Sequence, residues 1–159
     1  KTTLAKIVAK KQNLKFIDTD NNISKKNSMT IAEIFEKKGE NYFREDEEKE
    51  VLKSLEENNC IIAVGGGAFI NSTVRENILK CAISIWIDVD LETLNNRTKQ
   101  NYKRPLLNKK NKLEKLNELY AERKDIYGLA NHRINCNELT KKNIVKKIVK
   151  LKKNEQNYS

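Results

Sequence analysis

Long apolar runs are missing from this sequence. No stretch of 18 or more apolar residues occurs, which excludes a transmembrane helix. Histidine is nearly missing as well, with His132 alone, and the three cysteines Cys60, Cys81 and Cys136 lie far apart without a C-x-x-C pair. That scarcity offers no ligand set for a zinc site. The cysteines are odd in number and each stands at the edge of an apolar run, so reduced, half-buried thiols in a cytoplasmic compartment are expected. Internal repeats and linker-like stretches are lacking too, so residues 1–159 read as one domain, long enough to bury a core of its own.

Positive charge is what the chain has in excess, with 32 Lys+Arg against 22 Asp+Glu and a net charge of +10. The lysines are scattered among asparagines, as in 21–28 and 108–117, rather than gathered into a stripe. Only 141–153 is densely basic, and its Ile144, Val145, Ile148, Val149 and Leu151 have amphipathic helical spacing. The expectation is a solvated helix face, with no nucleic-acid or membrane partner.

Helical and strand patterns alternate along the chain. Helices are expected at 2–12, at 31–40, over a long segment ending near Asn59, and near 72–80, 91–99, 112–128 and 140–152. Gly39 is the expected break between the second and third. Strands are expected at 14–18, 60–64, 82–88 and 133–136, and the polar stretch 100–112, with the single proline Pro105, reads as a loop. Strands alternating with helices imply parallel βαβ units and an α/β sandwich.

Six short patterns carry chemistry. Lys1-Thr2-Thr3 before an amphipathic helix is how the motif G-x-x-x-x-G-K-[ST] ends, in which backbone amides, the lysine and the hydroxyl hold phosphates and a metal ion. Asp18-Thr19-Asp20 stands at the C-terminal end of an expected strand, where parallel sheets bind ligands, although an isolated Asp-x-Asp also serves as a capped turn. Gly39-Glu40-x-x-Phe43-Arg44-x-x-Glu47 puts Arg44 and Glu47 within pairing reach on one helical face. Gly65-Gly66-Gly67-Ala68 follows a buried strand, leaves amides bare and lets a ligand approach closely. Arg104-Pro105-Leu106-Leu107 lies in the polar loop, and Arg123 with Tyr127 lies on the helix after it.

In this order, from residue 1 to about residue 150, the patterns resemble the shikimate kinase family. The resemblance implies a three-layer α/β/α sandwich with a parallel sheet of order 2-3-1-4-5, whose first strand and glycine loop precede Lys1 and are absent from the sequence. It also implies a lid at about 100–112 and substrate-binding helices at about 30–59. The implied reaction moves the γ-phosphate of ATP to the 3-hydroxyl of shikimate, with Mg²⁺, in aromatic amino acid and chorismate biosynthesis, by a monomer.

The resemblance assigns residues as follows. Lys1, Asp20 and Arg104 are catalytic. Lys1, Thr2, Thr3, Arg97 and Arg104 hold ATP, and Thr2 and Asp18 hold the metal. Asp20, Arg44, Glu47, Gly65, Gly66, Gly67 and Arg123 hold shikimate. The family's adenine-side proline is replaced by Lys141. Composition adds an independent argument, since the chain uses lysine freely and has only six arginines, Arg44, Arg75, Arg97, Arg104, Arg123 and Arg133. Arginine kept in such a sequence suggests that its planar fork is needed. Two other readings stand beside this one: another small P-loop metabolite kinase, and a non-catalytic domain with binding or regulatory duties.

Overall fold

A computed structural model describes residues 1–90, 93 and 112–156. The helix expected at 91–99, with Arg97, and the loop carrying Arg104 and Pro105 lie outside the described residues, apart from Thr93 and Lys112. The chain begins with α1 (Thr2–Gln12), which ends where Asn13 turns left-handed at φ 51° and donates its amide back to the last turn. Then come β1 (Lys15–Asp18), α2 (Thr19–Asn27), α3 (Ile31–Leu55), β2 (Cys60–Ala63), a 3₁₀ turn (Ala68–Ile70) and α4 (Ser72–Cys81). After these follow β3 (Ile85–Asp88), α5 (Lys112–Tyr127), β4 (His132–Asn135) and α6 (Lys141–Gln156).

The strands pair in parallel, β1 with β2 from Lys15↔Cys60 to Asp18↔Ala63, and β3 with β4 from Ile85↔His132 to Asp88↔Asn135. These are the outer pairs of the expected order 2-3-1-4-5, and the architecture is α/β as expected. The expected strand at 82–88 is shorter than its apolar pattern suggests. Ala82 closes α4, and Ser84 is tied to Asn131 by three hydrogen bonds of 2.7–2.9 Å.

Apolar side chains gather in separate clusters. Val51, Ala68, Phe69, Val74 and Ile78 join α3, α4 and the 3₁₀ turn, with Ile126 and Tyr127 of α5 against them. Val89, Ile134, Cys136 and Ile144 form the other main cluster, packed by Leu4 of α1 and by Ile148 and Leu151 of α6. So the basic tail is a core helix. Its Ile144 and Val145 are buried, while Lys146, Lys147 and Lys150 stay exposed. Ile23, Ile34 and Phe43 make a third cluster beneath α2 and α3. Fully burying an isoleucine such as Ile23 or Ile34 stabilises the fold by roughly 1.5–3 kcal/mol.

Two elements depart from the sequence reading. Helix α2 falls where no helix was expected. It begins because Asp18 caps it, accepting a hydrogen bond from the Asn21 amide at 3.1 Å. The two helices expected from 31 to near Asn59 form α3, which ends at Leu55 and starts at a capping box between Thr30 and Glu33. Gly39 is the break expected there, a kink with φ 86° and ψ 168°. Nothing lies within 4 Å of where its Cβ would stand, so glycine is required by the positive φ and not by space.

The thiols are unbridged, but only Cys60 is half-buried as expected: Cys136 is buried, and Cys81 is exposed at the last residue of α4. The two arginines without an expected site role use their forks inside the fold. Arg75 donates to the carbonyls of Phe69 and Ile70 at 3.2 and 2.9 Å, bracing the 3₁₀ turn. Arg133 donates through Nε and Nη2 to buried Asp88 at 2.9 and 2.6 Å and lies over the Trp86 ring.

Candidate active site

The glycine triplet after β2 is the centre on which distant residues meet. A Cβ on Gly65 would overlap the Glu47 carboxylate and stand 2.9 Å from Asp20 Oδ1. One on Gly66 would lie 3.7 Å from Lys1 Nζ and 3.9 Å from both Arg123 Nη1 and Tyr127 Oη. One on Gly67 would overlap the Arg44 guanidinium, 2.7 Å from its Cζ. These three glycines do not have positive φ. Close approach of charged side chains, not unusual backbone, is what excludes larger residues here.

Each charged group is brought to this turn by its own element. Thr19 is fully buried and donates its hydroxyl to Ala63 O at 3.3 Å, which pins the start of α2 to the end of β2. Asp20, the next residue, therefore faces the glycines with one carboxylate oxygen buried. Lys1 stands at the N-cap of α1 and donates from Nζ to Val64 O at 3.0 Å, reaching the first residue beyond β2. Arg123 and Tyr127, one turn apart on α5, reach the same glycine, and the Tyr127 hydroxyl donates to Gly66 O.

Arg44 and Glu47 sit beyond the Gly39 kink. Arg44 Nη1 donates to Glu47 at 2.6 Å, as the spacing suggested. Glu40 was not expected to take part, yet its carboxylate accepts from Arg44 Nε and Nη2 at 3.2 and 3.0 Å. The i,i+4 spacing of Glu40 and Arg44 was the available signal. Burial pushes the Glu47 carboxyl above its ordinary value, with nearby Asp20 adding to the rise, against the opposing pull of Arg44 and Lys1. For Arg44 burial works to lower the pKa, but its bonds and charge contacts with Glu47 and Glu40 outweigh it and the guanidinium is held above its usual value.

Among the described residues, then, Lys1, Asp20, Arg44, Glu47, Gly65, Gly66, Gly67 and Arg123 come together. Thr2 and Thr3 lie in the first turn of α1, exposed, beside Lys1. Asp18 lies at the end of β1, where it caps α2. Lys141, in the place of the adenine-side proline, opens α6 and is exposed. Arg97 and Arg104 lie outside the described residues.

This donor set fits a polyphosphate. The first turn of α1 carries no acidic residue and no side-chain cap, so its amides and dipole face outward with Lys1 beside them. A hydroxyl and a carboxylate, Thr2 and Asp18, are the kind of sparse protein ligation that magnesium accepts when phosphates and water complete its shell. Arg44 and Arg123, at the same glycine turn, carry guanidinium groups suited to a carboxylate.

The family model for shikimate kinase matches residues 1–153. A shikimate kinase of Sulfurihydrogenibium sp. is 41% identical over 149 residues, covering 94% of this chain and 89% of that protein. One from Bartonella henselae is 35% identical over 150 residues, covering 94% of this chain and 71% of that one. Among solved structures, the shikimate kinase from Acinetobacter baumannii in complex with shikimate superposes with a TM-score of 0.92 at 30% identity, covering 97% of this chain and 87% of that chain. The Aquifex aeolicus enzyme superposes with a TM-score of 0.82 at 32% identity, covering 94% and 87%. With these matches spanning nearly its whole length, the chain belongs to the shikimate kinase family.

Proposed function

We propose that the chain transfers the γ-phosphate of ATP to the 3-hydroxyl of shikimate, giving shikimate 3-phosphate for aromatic amino acid and chorismate biosynthesis. The observation that carries this reading is the convergence of Asp20, Glu47, Arg44, Lys1 and Arg123 on three consecutive glycines. Such a site joins a place for phosphates to a place for a polar, anionic acceptor.

Phosphoryl transfer asks mainly for positioning and charge neutralisation. Lys1 meets the β- and γ-phosphates, with Thr2 and Thr3 in the helix turn below them. Thr2 and Asp18, the latter through water, would hold magnesium, which when bound neutralises charge on the phosphates. Arg44 and Arg123 clamp the shikimate carboxylate. Glu47 and Glu40 hold the Arg44 fork in place, and the bare amides of Gly65, Gly66 and Gly67 meet the substrate. Asp20 accepts a hydrogen bond from the attacking hydroxyl and takes its proton as the new O–P bond forms and ADP departs. In a loose transition state orientation is its larger contribution. By the family resemblance, Arg104 would add positive charge at the phosphates and Arg97 would meet the adenine, both outside the described residues.

This reading describes a single-domain cytoplasmic monomer with no nucleic-acid or membrane partner. The basic residues of α6 are then the solvated face of a helix whose other face is buried. The test is an ADP-release assay with shikimate, gluconate and nucleoside monophosphates offered separately. Turnover with shikimate alone is expected. Preference for another acceptor would assign the site to a different metabolite kinase, and inactivity on all three would favour a binding or regulatory domain.

A further inference from the structure

Asn27, the last residue of α2, makes four side-chain hydrogen bonds. Its Nδ2 donates to Ile23 O at 3.0 Å and to Asp46 Oδ2 at 2.8 Å. Its Oδ1 accepts from Lys38 Nζ at 2.8 Å and from Tyr42 Oη at 2.9 Å. That uses both donors and both acceptor sites of a primary amide. The partners also fix which way the amide points, because an ammonium can only donate while a carboxylate and a carbonyl only accept.

The places of these partners matter more than their number. Lys38 immediately precedes the Gly39 kink, and Tyr42 and Asp46 follow it. One side chain thus grips both arms of a bent helix. A glycine at φ 86° with open space around it does not by itself hold an angle between the arms. Arg44 stands between Tyr42 and Asp46, and Glu47 follows Asp46 directly. At its other end α2 is pinned to the sheet by Thr19 and carries Asp20. Helix α2 therefore runs as a strut from Asp20 at one end to the Asn27 amide at the other.

We propose that Asn27 is a positioning residue that sets the α3 bend and thereby the placement of Arg44 and Glu47 relative to Asp20, a role that rests on the shikimate-phosphorylating reading of the site. Aspartate cannot replace it, since it lacks both donors and would face buried Asp46 with a second negative charge. Alanine leaves Asp46 with Lys26 as its hydrogen-bond donor from α2.

The experiment measures shikimate affinity by calorimetry, KM for shikimate and for ATP, and amide hydrogen exchange over residues 39–47. It uses the unmodified chain, Asn27→Ala, Asn27→Asp and Tyr42→Phe. Loss of hydrogen bonds that include charged partners is expected to weaken shikimate binding roughly tenfold in the two Asn27 variants and about threefold in Tyr42→Phe. The KM for ATP should stay within about twofold, and exchange over 39–47 should accelerate. A folded Asn27 variant with unchanged shikimate affinity and unchanged exchange overturns the proposal. If Asn27→Ala does not fold, Tyr42→Phe decides by the same two readouts. An unmodified chain that ignores shikimate rejects the functional reading instead, and hydrogen exchange alone then upholds or overturns the role in the bend.

Discussion

The β1–β2 pair with α2 and α3, and the β3–β4 pair with α6, both rest on apolar clusters, but they differ in the polar groups buried beside them. In the first, Thr19, Asp46, Glu47 and Ser54 are buried polar residues, each hydrogen-bonded to a neighbour, and Asn27 and Lys26 lace one helix to the next. In the second, Val89, Ile134, Cys136 and Ile144 pack against leucines and isoleucines, with buried Asp88 paired to the exposed Arg133. Hydrogen bonds and ion pairs have narrow geometry and modest net energy, whereas apolar packing is nearly direction-free and strong. The half with the carboxylates and the Arg44 fork adds directional contacts for placement to its apolar core, and the other half relies mainly on packing.

Substitutions can break or sharpen that contrast. Asp20→Asn should have the largest effect, lowering turnover about a hundredfold or more while nucleotide binding stays nearly intact. Single-turnover kinetics beside nucleotide titration check this, and retained turnover would remove Asp20 from its proposed role. On the packing side, Ile144→Ala should cost about 2–5 kcal/mol of stability, read from denaturant melts, without a selective change in either KM. A rise confined to the shikimate KM would mean that the two halves are not separate in kind.

Arg123→Lys is subtler. It keeps the charge and loses the fork, so shikimate affinity should fall roughly tenfold with ATP affinity spared. Equal loss for both ligands would dissolve the carboxylate clamp.

The smallest effect concerns acid. Burial acts to raise the Asp46 carboxyl and is the largest single influence, but hydrogen bonds from Lys26 and Asn27, with nearby lysine charge, outweigh it and hold the group below its ordinary value. A carboxyl depressed in the folded state contributes stability that is full above its unfolded value and fades as pH falls through the folded one. Asp46→Asn should therefore flatten the decline of melting temperature between about pH 5 and about pH 2. An unchanged slope would show that the lysine–aspartate contact contributes little.

The same division explains what could be read from the sequence. The packed half announced itself through periodicity: the apolar residues of 141–153 foretold a helix, and Ile144 and Val145 turned out to be buried in it. Helix α2 gave no such signal, because TDNNISKKN has Ile23 as its one large apolar residue and its helical state depends on a cap and on α3. The Asp18-Thr19-Asp20 pattern proved to be a capped turn, the plainer of its two readings, and the same turn carries Asp20 to the glycines. The glycine triplet was legible in place but not in reason, since the side chains that crowd Gly65 and Gly67 come from residues 18 to 45 positions earlier. Asn27 was invisible for the same cause: its partners are distant, and asparagine is common throughout the chain.

The placement of Trp86 has an optical consequence. It is the single tryptophan of the chain, with Arg133 above its ring at 4.7 Å and Tyr127 at 6.0 Å between ring centroids. Tyr127 in turn touches the backbone of Gly66. Indole emission responds to neighbouring charge and to small displacements, so the intrinsic fluorescence of the unlabelled chain is expected to change when a ligand settles against the glycine turn.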